Sequence, residues 1–298
     1  MSAKIIDGLA IAREVRVGIA ARAQILKARG ITPSLAMIRV GDDPASGVYV
    51  RNKVRACADV GITSDVVRLP ADVSEEVLLD RIRRLNDTPS VHGILVQLPL
   101  PAHIAPRRVL ETISVEKDVD GFHLYNVGGL VIGETVFPPC TPYGVQKILE
   151  HEGIELEGKN VTVVGASNIV GKPLALMLMQ REATVAICHA KTRDLAQYTI
   201  LADILVVAAG KPNLIVAPMV RSGAVVIDVG INFLPDGRLV GDVDFEGVKE
   251  KASFITPVPG GVGPMTVTML LENTVGAAER ASAMNSAAAA NHAHPVPV

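Results

Sequence analysis

The stretch VTVVGASNIVGKP, residues 161–173, decides the fold of the second half of the chain. A mostly apolar run predicts a buried strand, and Gly165 lets the chain turn sharply off its end. Small residues at Ala166 and Ser167 allow backbone N–H groups to approach a pyrophosphate, and the helix opening near Gly171 adds partial positive charge. The spacing differs from G-x-G-x-x-G, and alone it also fits a tight strand–helix turn without a ligand.

The segments around this turn alternate between strand and helix. Three further strands are predicted, at 184–189, 204–210 and 224–230. This alternation is typical of a Rossmann-like doubly wound domain. We place that domain at 141–264, after the proline-rich run 136–144, and its context favours a dinucleotide-binding function for the turn at Gly165.

The first 140 residues show a similar alternation. Helices are predicted from Asp7 to Arg29 and over 44–60 and 74–87, with strands at 35–40, 65–70 and 93–101. Such a pattern predicts an α/β domain with parallel strands and helical crossovers, here 1–140. The protein is therefore expected to have two α/β domains.

The end of the chain contains one more helix and a segment of low complexity. Residues 265–284 are predicted to form the final helix. The Ala-, His- and Pro-rich residues 285–298 are expected to be a disordered tail without an assigned function.

Composition excludes several classes of protein. The 298 residues carry a formal net charge of −2, so no overall basic field attracts nucleic acid or a membrane surface. No apolar run reaches the length of a membrane span, and no signal-peptide core is present. Three widely spaced cysteines form no metal-ligand pattern and argue against a disulfide framework. We expect a reduced, cytoplasmic protein without a bound metal.

The residues after the strand at 184–189 bear on the choice of nucleotide. No acidic side chain for the ribose 2′-hydroxyl occurs before Asp194, whereas Lys191 and Arg193 could neutralise a 2′-phosphate. This favours NADP over NAD, although two cations also suit a solvated loop. Ile231, which follows the strand at 224–230, is placed where a chain leaving the sheet can meet the nicotinamide.

Tyr49 and Lys53 are four residues apart on the predicted helix 44–60, so both lie on one face. Such a pair can transfer protons if the pKa of the lysine falls on partial burial. It also fits a lysine that lies along a half-buried ring. In short-chain dehydrogenases the Tyr–Lys pair follows the nucleotide-binding segment, whereas here the pair precedes that segment. This order counts against that family.

Other polar residues interrupt apolar or glycine-rich segments. Gln97 stands in an apolar strand and needs hydrogen-bond partners, which Lys53 or a neighbouring loop could supply. Asp118 and Asp120 could form a turn, or one of them could supply a carboxylate that binds the N–H and amino groups of a heterocycle. The loop at 259–264 fits a plain turn or a wall against a flat ligand.

Six motifs in one order closely resemble the methylenetetrahydrofolate dehydrogenase/cyclohydrolase family, over roughly residues 4–280. They are YVRNK (49–53), VQLPLP (96–101), KDVDGFH (117–123), PCTPYG (139–144), VVGASNIVGKP (163–173) and PVPGGVGPMT (257–266). The resemblance implies a homodimer of two-domain subunits, a cleft between the domains that binds folate, and a final helix that returns to the N-terminal domain.

The resemblance also assigns roles to individual positions. Lys53 matches the catalytic lysine, Tyr49 the ring that packs against folate, Gln97 the amide that positions the lysine, and Asp120 the pterin ligand. Matches to other substrate-contacting positions are Val96, Leu98, Pro259, Gly260, Gly261, Val262 and Gly263. Matches to cofactor-contacting positions are Gly165, Ala166, Ser167 and Ile231, to which we add Gly171, Ala190, Lys191 and Arg193 as candidates.

The implied chemistry has two steps. A hydride passes from the one-carbon bridge of 5,10-methylenetetrahydrofolate to NADP, which requires alignment of the reacting atoms. Water then attacks the resulting methenyl cation to give 10-formyltetrahydrofolate, with Lys53 managing the protons. This places the protein in one-carbon metabolism that serves purine biosynthesis.

Two positions depart from the family pattern. Many members have Arg in place of Ala166 and Ser in place of Ala190, residues that help to recognise the 2′-phosphate. NAD use is therefore an alternative, as is a monofunctional dehydrogenase, which the presence of Lys53 and Gln97 opposes. A non-catalytic folate- or nucleotide-binding protein would be expected to lose Lys53. The N-terminal motifs do not fit a shikimate-type or amino-acid dehydrogenase.

Overall fold

The structure is a computed structural model, and it describes residues 2–292. The chain divides into two compact units. We call Met1–Glu14 with Val127–Met269 the six-stranded unit, and Val15–Asn126 with Leu270–Val298 the three-stranded unit. The predicted domain limits at 140 and 264 stay a prediction.

The six-stranded unit confirms the predicted Rossmann-like α/β architecture. Its strands are β1 (Lys4–Ile5), β5 (Asn160–Val164), β6 (Thr184–Cys188), β7 (Ile204–Val207), β8 (Val225–Asp228) and β11 (Phe254–Ile255). Its helices are α6 (Cys140–His151), α7 (Gly171–Met179), α8 (Leu195–Thr199) and α9 (Phe245–Lys249), and β9 (Asn232–Phe233) pairs with β10 (Leu239–Val240) as a separate ribbon.

All six strands of this sheet are parallel, in the order β1-β11-β8-β7-β5-β6. The chain passes from β5 to β6 on one side and then returns to β7 on the other side of β5. Loops that leave the carboxyl ends of β5 and β7 therefore diverge, and such a switch point opens a crevice for a ligand.

The three-stranded unit contains β2 (Ser34–Val40), β3 (Thr63–Leu69) and β4 (Gly93–Val96), parallel and in the order β3-β2-β4. Its helices are α2 (Pro44–Asp59), α3 (Glu75–Asn86) and α4 (Pro106–Thr112). Leu35, Ala36, Met37 and Ile38 are at most 1% exposed, so helices and loops cover both faces of β2.

Local hydrogen bonds explain where the predicted helices of this unit begin. The carboxylate of Asp43 accepts from Ser46 N at 2.7 Å, and Pro44 occupies the first turn of α2. The hydroxyl of Ser74 accepts from Val77 N at 3.4 Å at the start of α3. Both caps satisfy N–H groups that the helix itself leaves without partners.

The chain passes from one unit to the other within three helices. They are α1 (Gly8–Ala28), α5 (Leu124–Ile132) and α10 (Val262–His292). The helix α1 begins as predicted, because the Asp7 carboxylate accepts from Ala10 N at 3.0 Å.

Some element boundaries differ from the predictions. The strand predicted to reach residue 101 ends at Val96, because the prolines that follow have no N–H for a sheet ladder. The final helix begins at Val262, inside the predicted loop 259–264, and extends to His292. The predicted disordered tail thus begins within this helix, whose alanines favour helical backbone, and residues 293–298 lie outside the described residues.

Within residues 2–292, no helix combines the length and the apolar character needed to cross a membrane. In the same residues, no group of three or more His, Cys, Asp or Glu side chains is placed to hold a metal ion.

Candidate active site and nucleotide cavity

Lys53 and Gln97 are joined directly in the three-stranded unit. Lys53 Nζ donates to Gln97 Oε1 at 3.1 Å, and Gln97 Nε2 donates to the Leu98 carbonyl oxygen at 2.7 Å. An ammonium group only donates hydrogen bonds, so it can only meet the oxygen of the amide. The second bond holds the amide in that orientation, and the pair forms a positioned amine beside a fixed acceptor.

The fold brings these two residues together from distant parts of the sequence. Gln97 follows β4 immediately, and its backbone N–H donates to the Ile38 carbonyl oxygen of β2 at 2.8 Å. The helix α2 that carries Lys53 begins four residues after β2 ends. Carboxyl ends of parallel strands meet at one edge of a sheet, and that edge carries the Lys53–Gln97 pair.

Two further groups lie on the same face of α2, one turn to either side of Lys53. Tyr49 is half-buried, and burial raises the pKa of its phenol, which therefore stays protonated near neutral pH. Burial raises the pKa of the Cys57 thiol to about 12, against the opposing effect of the Lys53 charge. Cys57 is therefore a neutral packing residue rather than a competing proton carrier.

The two aspartates of KDVDGFH have different surroundings. Asp118 is 1% exposed and accepts from Phe122 N at 3.3 Å, His123 N at 2.8 Å and Asn126 Nδ2 at 2.7 Å. Burial, helped by the charge of Asp120, raises the pKa of the Asp118 carboxyl to about 6. Asp118 therefore holds the loop before α5, whereas Asp120 is only partly buried.

Lys117, which sequence reasoning passed over, anchors the same loop. Its Nζ donates to the carbonyl oxygens of Leu85, Asn86 and Thr88 at 3.0, 2.7 and 2.7 Å. These carbonyls lie at the carboxyl end of α3, where a cation satisfies groups without helical partners. No local sequence signal connects this lysine to a helix about thirty residues earlier.

The glycine loop at 259–263 lies in the six-stranded unit and packs closely on other backbone. A Cβ on Gly8 would stand 1.8 Å from the Gly261 carbonyl oxygen, and one on Gly261 would stand 2.5 Å from the Pro257 carbonyl oxygen. Gly261 and Val262 are buried, Gly260 is partly buried, and Pro259 and Gly263 are exposed. Close backbone packing therefore requires glycine at Gly8 and Gly261, whether or not a ligand lies against the loop.

The turn at Gly165 borders a cavity of about 430 Å³ at the switch point of the six-stranded sheet. Of the predicted cofactor residues, the ones that line it are Gly165, Ala166, Ser167 and Ala190. The predicted residues outside the lining are Gly171, Lys191, Arg193 and Ile231. Ile231 is 47% exposed beyond β8, and Lys191 and Arg193 are exposed next to lining residues in the sequence.

Glycine is obligatory at two positions of this turn. Gly165 has φ +125°, and a Cβ there would stand 2.1 Å from the Ala208 carbonyl oxygen. A Cβ on Gly171 would stand 1.8 Å from the Gly165 carbonyl oxygen. The hydroxyl of Ser167 accepts from Val170 N at 3.1 Å and Gly171 N at 3.4 Å, which fixes the start of α7. Such a cradle suits the close approach of a pyrophosphate.

Eight of the twelve residues that line the cavity were not among the candidates from the sequence. These residues are Val164, His189, Thr192, Leu195, Ala208, Ala209, Lys211 and Leu214. His189 N donates to the Thr192 hydroxyl at 2.9 Å, and Lys191 N donates to His189 Nδ1 at 3.1 Å, so the turn after β6 is ordered. The small residues directly after β7, AAG (208–210), are the signal that could have identified the opposite wall.

Comparison with known proteins also divides the chain into two domains. The catalytic domain model of tetrahydrofolate dehydrogenase/cyclohydrolase matches residues 6–120. The NAD(P)-binding domain model of tetrahydrofolate dehydrogenase/cyclohydrolase matches residues 139–282.

Individual relatives match over nearly the whole chain. The bifunctional protein FolD of Nitrosospira multiformis is 62% identical over 283 residues, which cover 95% of this chain and 98% of the relative. The FolD of Polaromonas naphthalenivorans is 60% identical over 280 residues, which cover 94% and 100%.

Two solved structures match at high similarity. The bifunctional FolD enzyme of Campylobacter jejuni has a TM-score of 0.92 at 52% identity, with 94% of this chain and 99% of that chain covered. The Trypanosoma brucei enzyme complexed with NADP and an inhibitor has a TM-score of 0.91 at 40% identity, with 95% and 99% covered. The chain therefore belongs to the tetrahydrofolate dehydrogenase/cyclohydrolase family.

Proposed function

We propose that the Lys53–Gln97 pair is the catalytic site of a bifunctional enzyme and that the cavity at Gly165 is its nucleotide-binding site. The chain oxidises 5,10-methylenetetrahydrofolate with NADP and hydrolyses the methenyl product to 10-formyltetrahydrofolate. The observation that carries the residue assignment is the 3.1 Å bond between Lys53 Nζ and Gln97 Oε1. This bond places an oriented amine in the three-stranded unit, and the hydrolysis step needs such a proton carrier.

The cavity at Gly165 fits the nucleotide. Its glycine cradle leaves no room for a Cβ at Gly165 or Gly171, and its wall offers backbone at the amino end of α7. NADP, when bound, accepts the hydride from the one-carbon bridge. The chain's own contribution to this step is binding and alignment, because hydride transfer needs no protein proton donor.

Hydrolysis depends on groups of the three-stranded unit. Water adds to the methenyl carbon and loses both of its protons as its oxygen becomes the formyl oxygen. A ring nitrogen gains one of these protons as its bond to that carbon breaks, and the other proton is released to solvent. Lys53 accepts a proton from the attacking water and donates a proton to the ring nitrogen, so its amine is neutral for part of the cycle. Gln97 keeps the amine in place, Tyr49 packs against the folate ring system, and Asp120 binds the pterin together with the backbone at Val96 and Leu98.

Recognition of the 2′-phosphate does not follow the common family pattern at Ala166 and Ala190. Lys191 lies between Ala190 and Thr192, two residues of the cavity wall, and Arg193 follows Thr192; both cations are exposed. We assign the 2′-phosphate to this turn, where either cation can reach an anionic group.

A homodimer is the proposed assembly. Strand β6 lies at one edge of the six-stranded sheet. Apolar side chains of this strand and of the segment after it are exposed: Ile187 at 42%, Tyr198 at 45% and Leu201 at 68%. Exposed apolar surface next to an outer strand is typical of an association surface. Leu201→Glu should lower the mass measured by analytical ultracentrifugation, whereas Leu9→Glu, at a separately exposed leucine, should not.

The three cysteines, all within the described residues, are buried and form no disulfide. This supports the proposed cytoplasmic location, because reduced thiols are typical of that compartment.

One assay tests the two activities together. The purified protein is mixed with 5,10-methylenetetrahydrofolate and NADP, and both NADPH and methenyltetrahydrofolate are followed by absorbance. NADPH that accumulates without methenyl product indicates both steps. Equal accumulation of the two would contradict the cyclohydrolase, and absence of both signals would contradict the dehydrogenase.

A further inference from the structure

We propose that Asp242 is a positioning residue for the nucleotide cavity, a role that rests on the assignment of that cavity to NADP. Its buried carboxylate holds the backbone after β7 in the shape that forms the wall opposite Gly165. Asp242 itself does not line the cavity.

The carboxylate of Asp242 accepts four hydrogen bonds. Oδ2 accepts from Ala209 N at 2.6 Å and Gly210 N at 2.9 Å, while Oδ1 accepts from Lys211 N at 2.8 Å and Asn232 Nδ2 at 2.8 Å. The residue is 0% exposed. Three consecutive backbone N–H groups therefore converge on one carboxylate, and its acceptor capacity is filled.

The backbone held in this way is part of the cavity. Ala208, Ala209 and Lys211 all line it. The Ala208 carbonyl oxygen is also the atom that a Cβ on Gly165 would strike, at 2.1 Å. The distance between the Gly165 turn and the opposite wall is thus set by atoms adjacent to the peptides that Asp242 binds.

A second buried carboxylate fixes Asp242 in turn. Asp228, at the end of β8, accepts from Asp242 N at 3.0 Å, Val243 N at 2.9 Å and Gly230 N at 2.9 Å. Glycine provides the necessary space, because a Cβ on Gly241 would stand 1.8 Å from Asp228 Oδ2. The carboxyl end of β8 is thereby connected to the cavity wall through two buried aspartates.

Asp242→Asn separates this role from general support of the fold. The amide has the same size, but its NH2 group faces N–H donors and cannot accept their hydrogen bonds. The KM for NADP should rise about tenfold, since buried donors lose partners and the wall relaxes. Cyclohydrolase activity on methenyltetrahydrofolate should stay within about twofold of wild type, because that step uses no nucleotide.

The matched control is Asp244→Asn, which removes the same charge two residues away. Asp244 only caps α9, where Oδ1 accepts from Gly247 N at 3.4 Å. Its KM for NADP should remain that of the wild type. A parallel fall of both activities in Asp242→Asn, with a KM for NADP that does not change, would show a purely structural residue and overturn the proposal.

Gly165→Ala tests the cavity assignment separately. If it raises the KM for NADP while Asp242→Asn leaves it unchanged, the cavity binds NADP and the positioning role is wrong. If neither variant changes it, the cavity assignment fails and the inference fails with it. Should Asp242→Asn not fold, Asn232→Ala decides the matter. Loss of one donor at Oδ1 should raise the KM for NADP about twofold, and an unchanged value would overturn the proposal.

Discussion

The side-chain amide of Asn273, on α10, donates to the Val119 carbonyl oxygen at 2.9 Å in buried surroundings. Both residues belong to the three-stranded unit. The C-terminal helix thus fixes the loop between Asp118 and Asp120, whose second aspartate we assign to the pterin.

Replacement of Asn273 should therefore affect both stability and folate binding. In Asn273→Ala the Val119 carbonyl loses a buried donor, so we expect the free energy of unfolding to fall by about 1–3 kcal/mol. The KM for methylenetetrahydrofolate should rise as the Asp120 loop loosens. Urea unfolding and steady-state kinetics measure the two effects, and Met284→Ala, at an exposed position of α10, is the control. A loss of stability with an unchanged KM for methylenetetrahydrofolate would show that the Asn273–Val119 bond does not affect folate binding.

Lys53→Met should reduce cyclohydrolase activity by about 10²-fold or more, because the variant removes the proton carrier. Arg51→Met, an exposed cation on the same helix, should retain wild-type activity. The hydrolysis of methenyltetrahydrofolate is compared with its spontaneous rate, with circular dichroism to confirm folding. Wild-type hydrolysis by folded Lys53→Met would contradict the assigned role.

Ala166→Arg should shift the nucleotide preference further toward NADP. Ala166 lines the cavity, and a guanidinium there can form charge-assisted bonds to the 2′-phosphate. The ratio of kcat/KM for NADP to that for NAD should rise several-fold, by about 1 kcal/mol of differential binding. Asn168→Arg, an exposed position of the same turn, is the control. An unchanged ratio would place the 2′-phosphate elsewhere.

Stability should fall as the pH rises from about 4 to about 6, in part through Asp118. The folded-state pKa of its carboxyl is about 6, above the ordinary value of 3.8, because burial disfavours the charged form. In this window the native state binds more protons than the unfolded state, so each step up in pH costs stability. The loss from this group is on the order of 2–3 kcal/mol and is complete above the folded pKa.

Asp118→Asn should reduce the slope of this dependence, because the amide does not titrate. The free energy of unfolding is measured by urea titration at several pH values between 4 and 7, and only its slope against pH is compared. Asp65→Asn, at an exposed position, should keep the wild-type slope. A slope in Asp118→Asn equal to that of the wild type would show that this carboxyl does not titrate in the window.

Local sequence was sufficient for the features that depend on nearest neighbours. Apolar runs predicted the buried strands β2, β5, β7 and β8, and the caps at Asp7 and Ser74 predicted helix starts that the structure confirms. The order of six motifs predicted the family, which the family models confirm. These features succeed because hydrophobic period and capping act over a few residues.

Tertiary structure alone decided the geometry by which distant residues meet. The resemblance predicted that Gln97 positions Lys53, and the fold supplies the 3.1 Å bond between them across 44 positions. It also pairs β1 with β11, a strand about 250 residues later. It also converges three N–H groups on Asp242 and makes His189 and Lys211 part of the cavity wall. Such contacts depend on the order of strands and the packing of loops, for which neither local propensity nor hydrophobic period carries a signal.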